Sequence, residues 1–360
     1  VKAVAVRRQG ATADSLIGRV LCYDVRDAAN KVVADKGAVL DAATAASLLT
    51  APWDEVHVIE VEPGDLHEEE AGSRLAAAVV GEGVEVRGYT GGQWTLAAAR
   101  RGLLRVRERA LADLNAQEGI AVFTLFDRQP VDAGETVAKA KVTPLVIAGE
   151  TLSTVEAIAR AARGAVTVDA FRPAVVGAVA PGRLEPKQRQ RFDAAMQQKI
   201  AWFGGRLLPL RFGDPEHGGS AAGGPPNPLA ARTVADHLGA LRSEGAEILV
   251  VAGASALDPL DPVFGALTLL GARMERHGAP AHPGSLLWLA RWNGRPVLGM
   301  PTCGMFSQAT TFDLVLPRLL TGEELGNREL AELGHGGLLS REMAYRFPPY
   351  RAGAARGELE

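Results

Sequence analysis

Between about residues 172 and 325, short wholly apolar runs alternate with longer stretches of helical period, and that alternation limits the fold more than any other feature of the chain. Residues 174–180 and Ile248–Ala252 carry no polar side chain. A strand that is apolar on both faces is stable only inside a sheet covered on both sides. Residues 185–203 put Phe192, Ala195, Met196, Ile200 and Phe203 on one helical stripe, which Gly204-Gly205 ends. Residues 207–211 read as a further strand, and 213–227, rich in Gly and Pro, as a surface loop. Asn227 as cap and Pro228 as first residue open a helix that turns Val234, Leu238 and Leu241 inward. Asp261-Pro262 opens another, ending at Gly271. Asn293-Gly294, between runs at 286–292 and 295–300, is a hairpin signal, and a last helix covers about 307–319. Parallel strands need crossovers of helix length, so this order predicts a three-layer α/β/α domain with a mainly parallel sheet over 172–325.

The region 1–171 reads as mixed α+β, in one or two subdomains. Strands are expected at 17–23 and 56–61, and helices at 41–49, 68–80 and 154–163. Turns at Asp132-Ala133-Gly134 and Ala148-Gly149-Glu150 suggest a compact β module over 120–151. Arg172-Pro173 marks the boundary. Residues 326–360 lose periodicity and read as a surface-wrapping tail.

Composition narrows the function classes. The formal net charge of −3 offers no broad surface for neutralising phosphates, so nucleic acid is not an expected partner. The apolar runs are too short to span a bilayer, and no leader-like segment opens the chain, so a cytoplasmic protein is expected. Two cysteines, Cys22 and Cys303, make neither a disulfide framework nor a zinc-finger spacing.

In a sheet of this type ligands collect where strands end. After the first strand comes Pro181-Gly182-Arg183, after the third Gly253-Ala254-Ser255-Ala256-Leu257-Asp258, and after the hairpin Pro301-Thr302-Cys303-Gly304. Small side chains expose backbone N–H groups, a helix start favours an anion, and Ser255, Thr302 and Ser307 add hydroxyl donors. By themselves these features point to a small anionic ligand.

Their order and wording say more. Ala252-Gly253-Ala254-Ser255-Ala256-Leu257-Asp258, then Pro283-Gly284-Ser285-Leu286, then Met300-Pro301-Thr302-Cys303-Gly304 resemble the molybdopterin-binding domain of molybdopterin molybdotransferases and gephyrin-like proteins. In that family the three segments read G-G-x-S-x-G-x ending in an acid, P-G-K-P, and L-P-G-N-P. Pro181-Gly182-Arg183-Leu184 stands where the family has T-G-D-E, and Phe192-Asp193-Ala194-Ala195 where it has Y-D-S-N. The likeness covers roughly 150 residues. It extends more weakly to Cys22-Tyr23-Asp24, Asp35-Lys36-Gly37 and His67-Glu68-Glu69-Glu70-Ala71, which are similar to stand-alone molybdopterin-binding proteins. The departures are specific: Arg183 replaces an acid, Ser285 a lysine, Leu257 a glycine and Gly304 a proline.

The resemblance implies a domain that binds molybdopterin or its adenylylated form. Its pocket would draw on Gly182, Gly253, Ala254, Ser255, Asp258, Pro283, Gly284, Pro301, Thr302, Gly304 and Ser307. Asp258 and Asp193 become the candidate catalytic groups, with Asp258 also placed to handle Mg²⁺ or molybdate. It implies a homo-oligomer and, as recipient, a molybdoenzyme. Whether molybdate insertion accompanies binding stays open. One alternative is a non-catalytic scaffold or chaperone for a molybdoenzyme, with a vestigial pocket; a remoter one is an amidase acting on a pyridine nucleotide. Plainer roles stand beside several residues. Asp258 precedes Pro259 and can shape a turn, Asp261 reads as a helix cap, and Asp193 can be merely solvated. Cys303 and His282 can be turn residues, and the Arg100-Arg101 and 105–109 basic run a solvated face. The three glutamates after His67 suit the first turn of a helix better than a metal site.

Overall fold

The computed structural model describes residues 1–213, 228–253, 257–306 and 309–350. The expected loop at 213–227 with its Asn227 cap, Ala254, Ser255, Ser307 and the end of the tail therefore lie wholly or almost wholly outside the described residues. The chain forms two compact units. One holds Val1–Arg100, Leu104–Asp127 and Asp132–Val168; the other holds Arg101–Leu103, Arg128–Val131 and the chain from Asp169 onward. Among the described residues no helix is long and apolar enough to cross a membrane.

The first unit mixes helices with antiparallel sheets. Lys2–Arg7 and Val20–Leu21 flank Glu55–Glu60. A second sheet runs in the order Ile120–Thr124, Thr136–Val142, Gln93–Ala98, Val84–Thr90. The helix Glu68–Val79 buries Ala71, Leu75, Ala76 and Val79. Its acidic first turn follows His67, whose Nδ1 accepts the Glu69 N–H at 3.3 Å, so these carboxylates sit where the helix dipole favours them. Within the expected basic face, Arg101, Arg107 and Arg109 are exposed, while the strand Gly102–Val106 buries Leu103, Leu104 and Val106. Arg101, just before this strand, belongs to the second unit and stacks over the Trp202 ring of that same unit at 4.7 Å.

The second unit follows strand–helix order. Its elements are β1 (Val175–Ala180), α1 (Pro186–Trp202), β2 (Arg206–Leu207), β3 (Arg211–Phe212), α2 (Pro228–Ser243) and β4 (Ile248–Ala252). They continue with α3 (Pro262–Leu269), β5 (Arg273–His277), β6 (Trp288–Trp292), β7 (Arg295–Met300), α4 (Thr302–Phe306) and α5 (Thr311–Leu320). β1 pairs in parallel with β2, β3 and β4, and β4 with β7; β6 and β5 extend the sheet antiparallel. Val176, Ala178, Val250, Leu298 and Met300 face Phe192, Met196 and Ile200 of α1 and Phe312, Val315 and Leu316 of α5. Val179, Leu249, Val251 and Val297 face Val234, Leu238 and Leu241 of α2 and Val263 and Leu267 of α3. Each face of the sheet thus has its own helical cover, which is why the strands carry apolar residues at consecutive positions.

Three features differ from expectation. The strand at 207–211 is split into β2 and β3, with Pro209 between them lacking the N–H that a ladder needs. β5 is a half-exposed edge strand of alternating charge, Arg-Met-Glu-Arg-His, with no apolar run to reveal it. The last helix, expected over about 307–319, is α5 at Thr311–Leu320, started by a capping box of Thr310 and Asp313, and a separate short helix, α4, stands before it. The Asn293-Gly294 hairpin is present, with φ of 50° and 75°. Beyond residue 326, short helical turns bury Leu330 and Leu333, and the segment after the last of them buries Phe347 and Tyr350.

Lys199 of α1 and Asp313 of α5 form an ion pair inside the apolar layer between these helices, with side chains 2% and 0% exposed. Removing one partner leaves an uncompensated buried charge. Lys199→Met should therefore lower stability by about 3–5 kcal/mol. The double variant Lys199→Met/Asp313→Leu should lose less than the single one. Urea denaturation of the three proteins measures the difference, and an additive double variant would contradict it.

Candidate functional site at the carboxyl edge of the parallel sheet

Register decides which loops meet. Val179 lies opposite Val251, Ala252 opposite Met300, and Trp288 opposite Gly299. The exits of β1, β4 and β7 and the entry to β6 therefore share one edge. Gly182, Gly253, Pro283-Gly284, Pro301, Thr302 and Gly304 all lie in the segments leaving or entering that edge.

Each segment has a local reason for its small residues. Gly253 turns the chain with φ of +77°, and its N–H donates to the Met300 carbonyl at 2.8 Å, tying the β4 exit to the β7 exit. Gly284 has φ of +109°, and an added Cβ would lie 2.9 Å from Thr311 Oγ1. A Cβ on Gly304 would meet Met300 Cγ at 2.8 Å. Gly182 differs, since nothing lies within 4 Å of its would-be Cβ. Arg183 beside it is 75% exposed and lies 4.0 Å from Glu185. Pro301 is buried and Thr302 exposed. α4, which begins at Thr302, has five described residues, so the expected helix start after β7 is described over little more than a single turn.

The carboxylates divide. Asp258 Oδ1 accepts the Leu260 N–H at 2.9 Å and its carbonyl accepts the Asp261 N–H at 3.1 Å, so Asp258 shapes the turn into α3. Asp261 caps α3 through the Val263 N–H at 2.9 Å. Burial pushes its carboxyl above the ordinary range; the Asp258 charge adds to this and the Val263 N–H opposes it. Among the described residues no three His, Cys, Asp or Glu side chains gather into a group that could hold a metal ion by themselves, and no step is assigned to Mg²⁺ at Asp258.

Asp193 stands apart from the strand-end loops. It lines a cleft of about 470 Å³ between α1 and the segment 207–212, together with Arg189, Gln190, Gln197, Pro209 and Phe212. Gln197 Nε2 donates to Asp193 Oδ2 at 3.0 Å. Arg189 Nε donates to the Leu184 carbonyl at 3.0 Å while its guanidinium stacks over Phe212 at 4.8 Å. The sequence held a signal for this cleft: 189, 193 and 197 are polar at a spacing of four, along one side of the apolar stripe of α1. Of these residues, only Asp193 falls on a motif position.

No protein-family model matches the chain, and no curated protein matches it. Among solved structures, the molybdopterin biosynthesis moea protein from Pyrococcus horikosii aligns over 75% of this chain and 80% of its own, at 12% identity and a TM-score of 0.28. A NadC deletion mutant aligns over 56% and 78%, at 12% identity and a TM-score of 0.17. Likenesses at these scores carry no argument about the site.

The raised carboxyl of Asp261 has a consequence with a definite sign. The folded state holds this proton at pH values where the unfolded chain has released it, so stability falls as pH rises upward from the ordinary aspartate value of 3.8. Asp261→Asn keeps a good cap and removes the titration. Its stability relative to the native protein should therefore rise with pH across that window. Parallel urea curves at several pH values test this, and a constant difference would refute it.

Proposed function

We propose that the second unit is a molybdopterin-binding α/β/α domain that acts in molybdenum cofactor biosynthesis or delivery. One observation supports this most: four segments that resemble the family's motifs, scattered between residues 181 and 304, meet at one edge of one sheet. That edge is rich in main-chain groups and small residues, which suits the phosphate of molybdopterin. The Asp193 cleft suits the heterocycle. A pterin carries adjacent N–H donors on its aminopyrimidine ring, and a carboxylate accepts such a pair in the plane of the ring. Asp193 is seven residues past Pro186, about 10 Å along α1, a separation that a pterin with its phosphate arm can bridge.

Binding and delivery are the core of this reading. Insertion of molybdate would need placed carboxylates, and Asp258 already gives one oxygen, Oδ1, to its turn. Arg183 favours a second reading, a scaffold for a molybdoenzyme with a reduced pocket, because a cation stands where the family has an acid. Co-purification with a molybdoenzyme in the absence of pterin would mark that case.

Fluorescence titration with purified molybdopterin, and with its adenylylated form, tests the proposal. The native protein should bind at least one form at micromolar concentration or tighter. Asp193→Ala should weaken binding by about 10-fold or more, the usual effect of losing a hydrogen bond to a charged group. Asp258→Ala should act less, through the turn alone. Absence of binding by the native protein to either form would remove the proposal.

A further inference from the structure

Asp313 uses both carboxylate oxygens inside the second unit. Oδ2 accepts the Thr310 N–H at 3.1 Å and the Thr310 hydroxyl at 2.8 Å, which fixes the start of α5. Oδ1 accepts from Lys199 Nζ and, at 3.0 Å, from the Tyr350 hydroxyl. Lys199 also lies over the Tyr350 ring at 5.1 Å, and that ring packs edge-on to Trp202 and Phe203. Tyr350 is buried, and burial together with the Asp313 charge pushes its phenol well above the usual value, so it stays a donor.

What Asp313 fixes is the part of α5 that faces the strand-end loops. Thr311 donates through Oγ1 to the Ala281 carbonyl at 2.9 Å and the Pro283 carbonyl at 3.1 Å. Its N–H donates to Pro283 at 2.9 Å. On the other side, a Cβ added to Gly304 would sit 3.6 Å from Thr310 Oγ1. One helix start therefore bears on both the Pro283-Gly284 turn and the segment after β7.

We infer that Asp313, held by Lys199 and Tyr350, is a positioning residue that sets the geometry of the Pro283-Gly284 turn and of the Pro301–Gly304 segment that enters α4. Tyr350, although it lies in the C-terminal stretch, belongs to the support of the ligand edge. The inference concerns loop geometry, and its link to ligand affinity rests on the proposed pterin reading.

Tyr350→Phe keeps the ring and deletes the hydroxyl, and Phe347→Leu disturbs the same stretch without touching Asp313. Amide exchange is followed at Thr311 and at Leu287, whose N–H donates to Gly284 at 3.0 Å, with 120–124 as reference. Tyr350→Phe should accelerate both amides about 10-fold while leaving 120–124 unchanged, as a local opening does. Phe347→Leu should not, once global stability is matched. In the same samples Tyr350→Phe should weaken molybdopterin binding about 5-fold, as expected when a loop must be re-ordered. Equal acceleration in both variants, or none in Tyr350→Phe, overturns the inference. A native protein that binds no pterin would overturn the functional reading, while the exchange data would still decide the positioning role.

Discussion

The parallel pairing of β1, β4 and β7 is the constraint on which the rest of the second unit depends. Parallel strands all end at the same edge, so every connection must return along a face of the sheet, and helices are the economical way to satisfy backbone groups on that return. Two consequences follow together. Both faces are buried, which explains the unbroken apolar runs, and the loops that leave the strands gather at one edge. The core and the candidate site are the same constraint seen from two directions.

Close approach to that sheet is set by a few small residues. Gly177 in β1 lies where a Cβ would meet Leu241 Cβ at 3.0 Å and Ala246 Cβ at 3.2 Å, so α2 sits low over the strand. Gly299 in β7 gives its place to the Trp288 indole; a Cβ there would lie 2.0 Å from Trp288 Cε2. Phe264 of α3 then packs on the same indole at 5.7 Å. The antiparallel extension β6 is thereby keyed to β7 by side-chain shape as well as by the hairpin.

Much of this was legible in sequence because period and punctuation report burial. β1 and β4 are apolar throughout, α1 carries its stripe, and Asn293-Gly294 and Asp261-Pro262 mark a turn and a cap by local chemistry alone. What was not legible depends on partners far away in the chain. β5 has charged alternation and is a strand only because β6 is beside it. Tyr350 looks like one aromatic in an aperiodic tail and becomes a core residue through distant partners, Asp313 37 positions earlier and the Trp202 and Phe203 rings. The cleft at Asp193 likewise needs Phe212 and Pro209 opposite α1, which no motif contains.

The departures from the motif pattern can be weighed by what each position does physically. Gly304, where the resembled family has proline, faces Met300 Cγ so closely that any side chain must displace it. That substitution is a packing requirement of this core and removes no ligand group. Leu257, in place of a glycine, is 73% exposed and leaves the Asp258 turn intact. Arg183 and Ser285 are different, because both are exposed side chains that change the charge presented at the edge without any packing reason. A site that binds through main-chain groups tolerates the first kind of change. The second kind changes the charge at the edge itself, so under the proposed pterin reading Arg183 and Ser285, more than the glycines, are the positions that bear on which anion fits there.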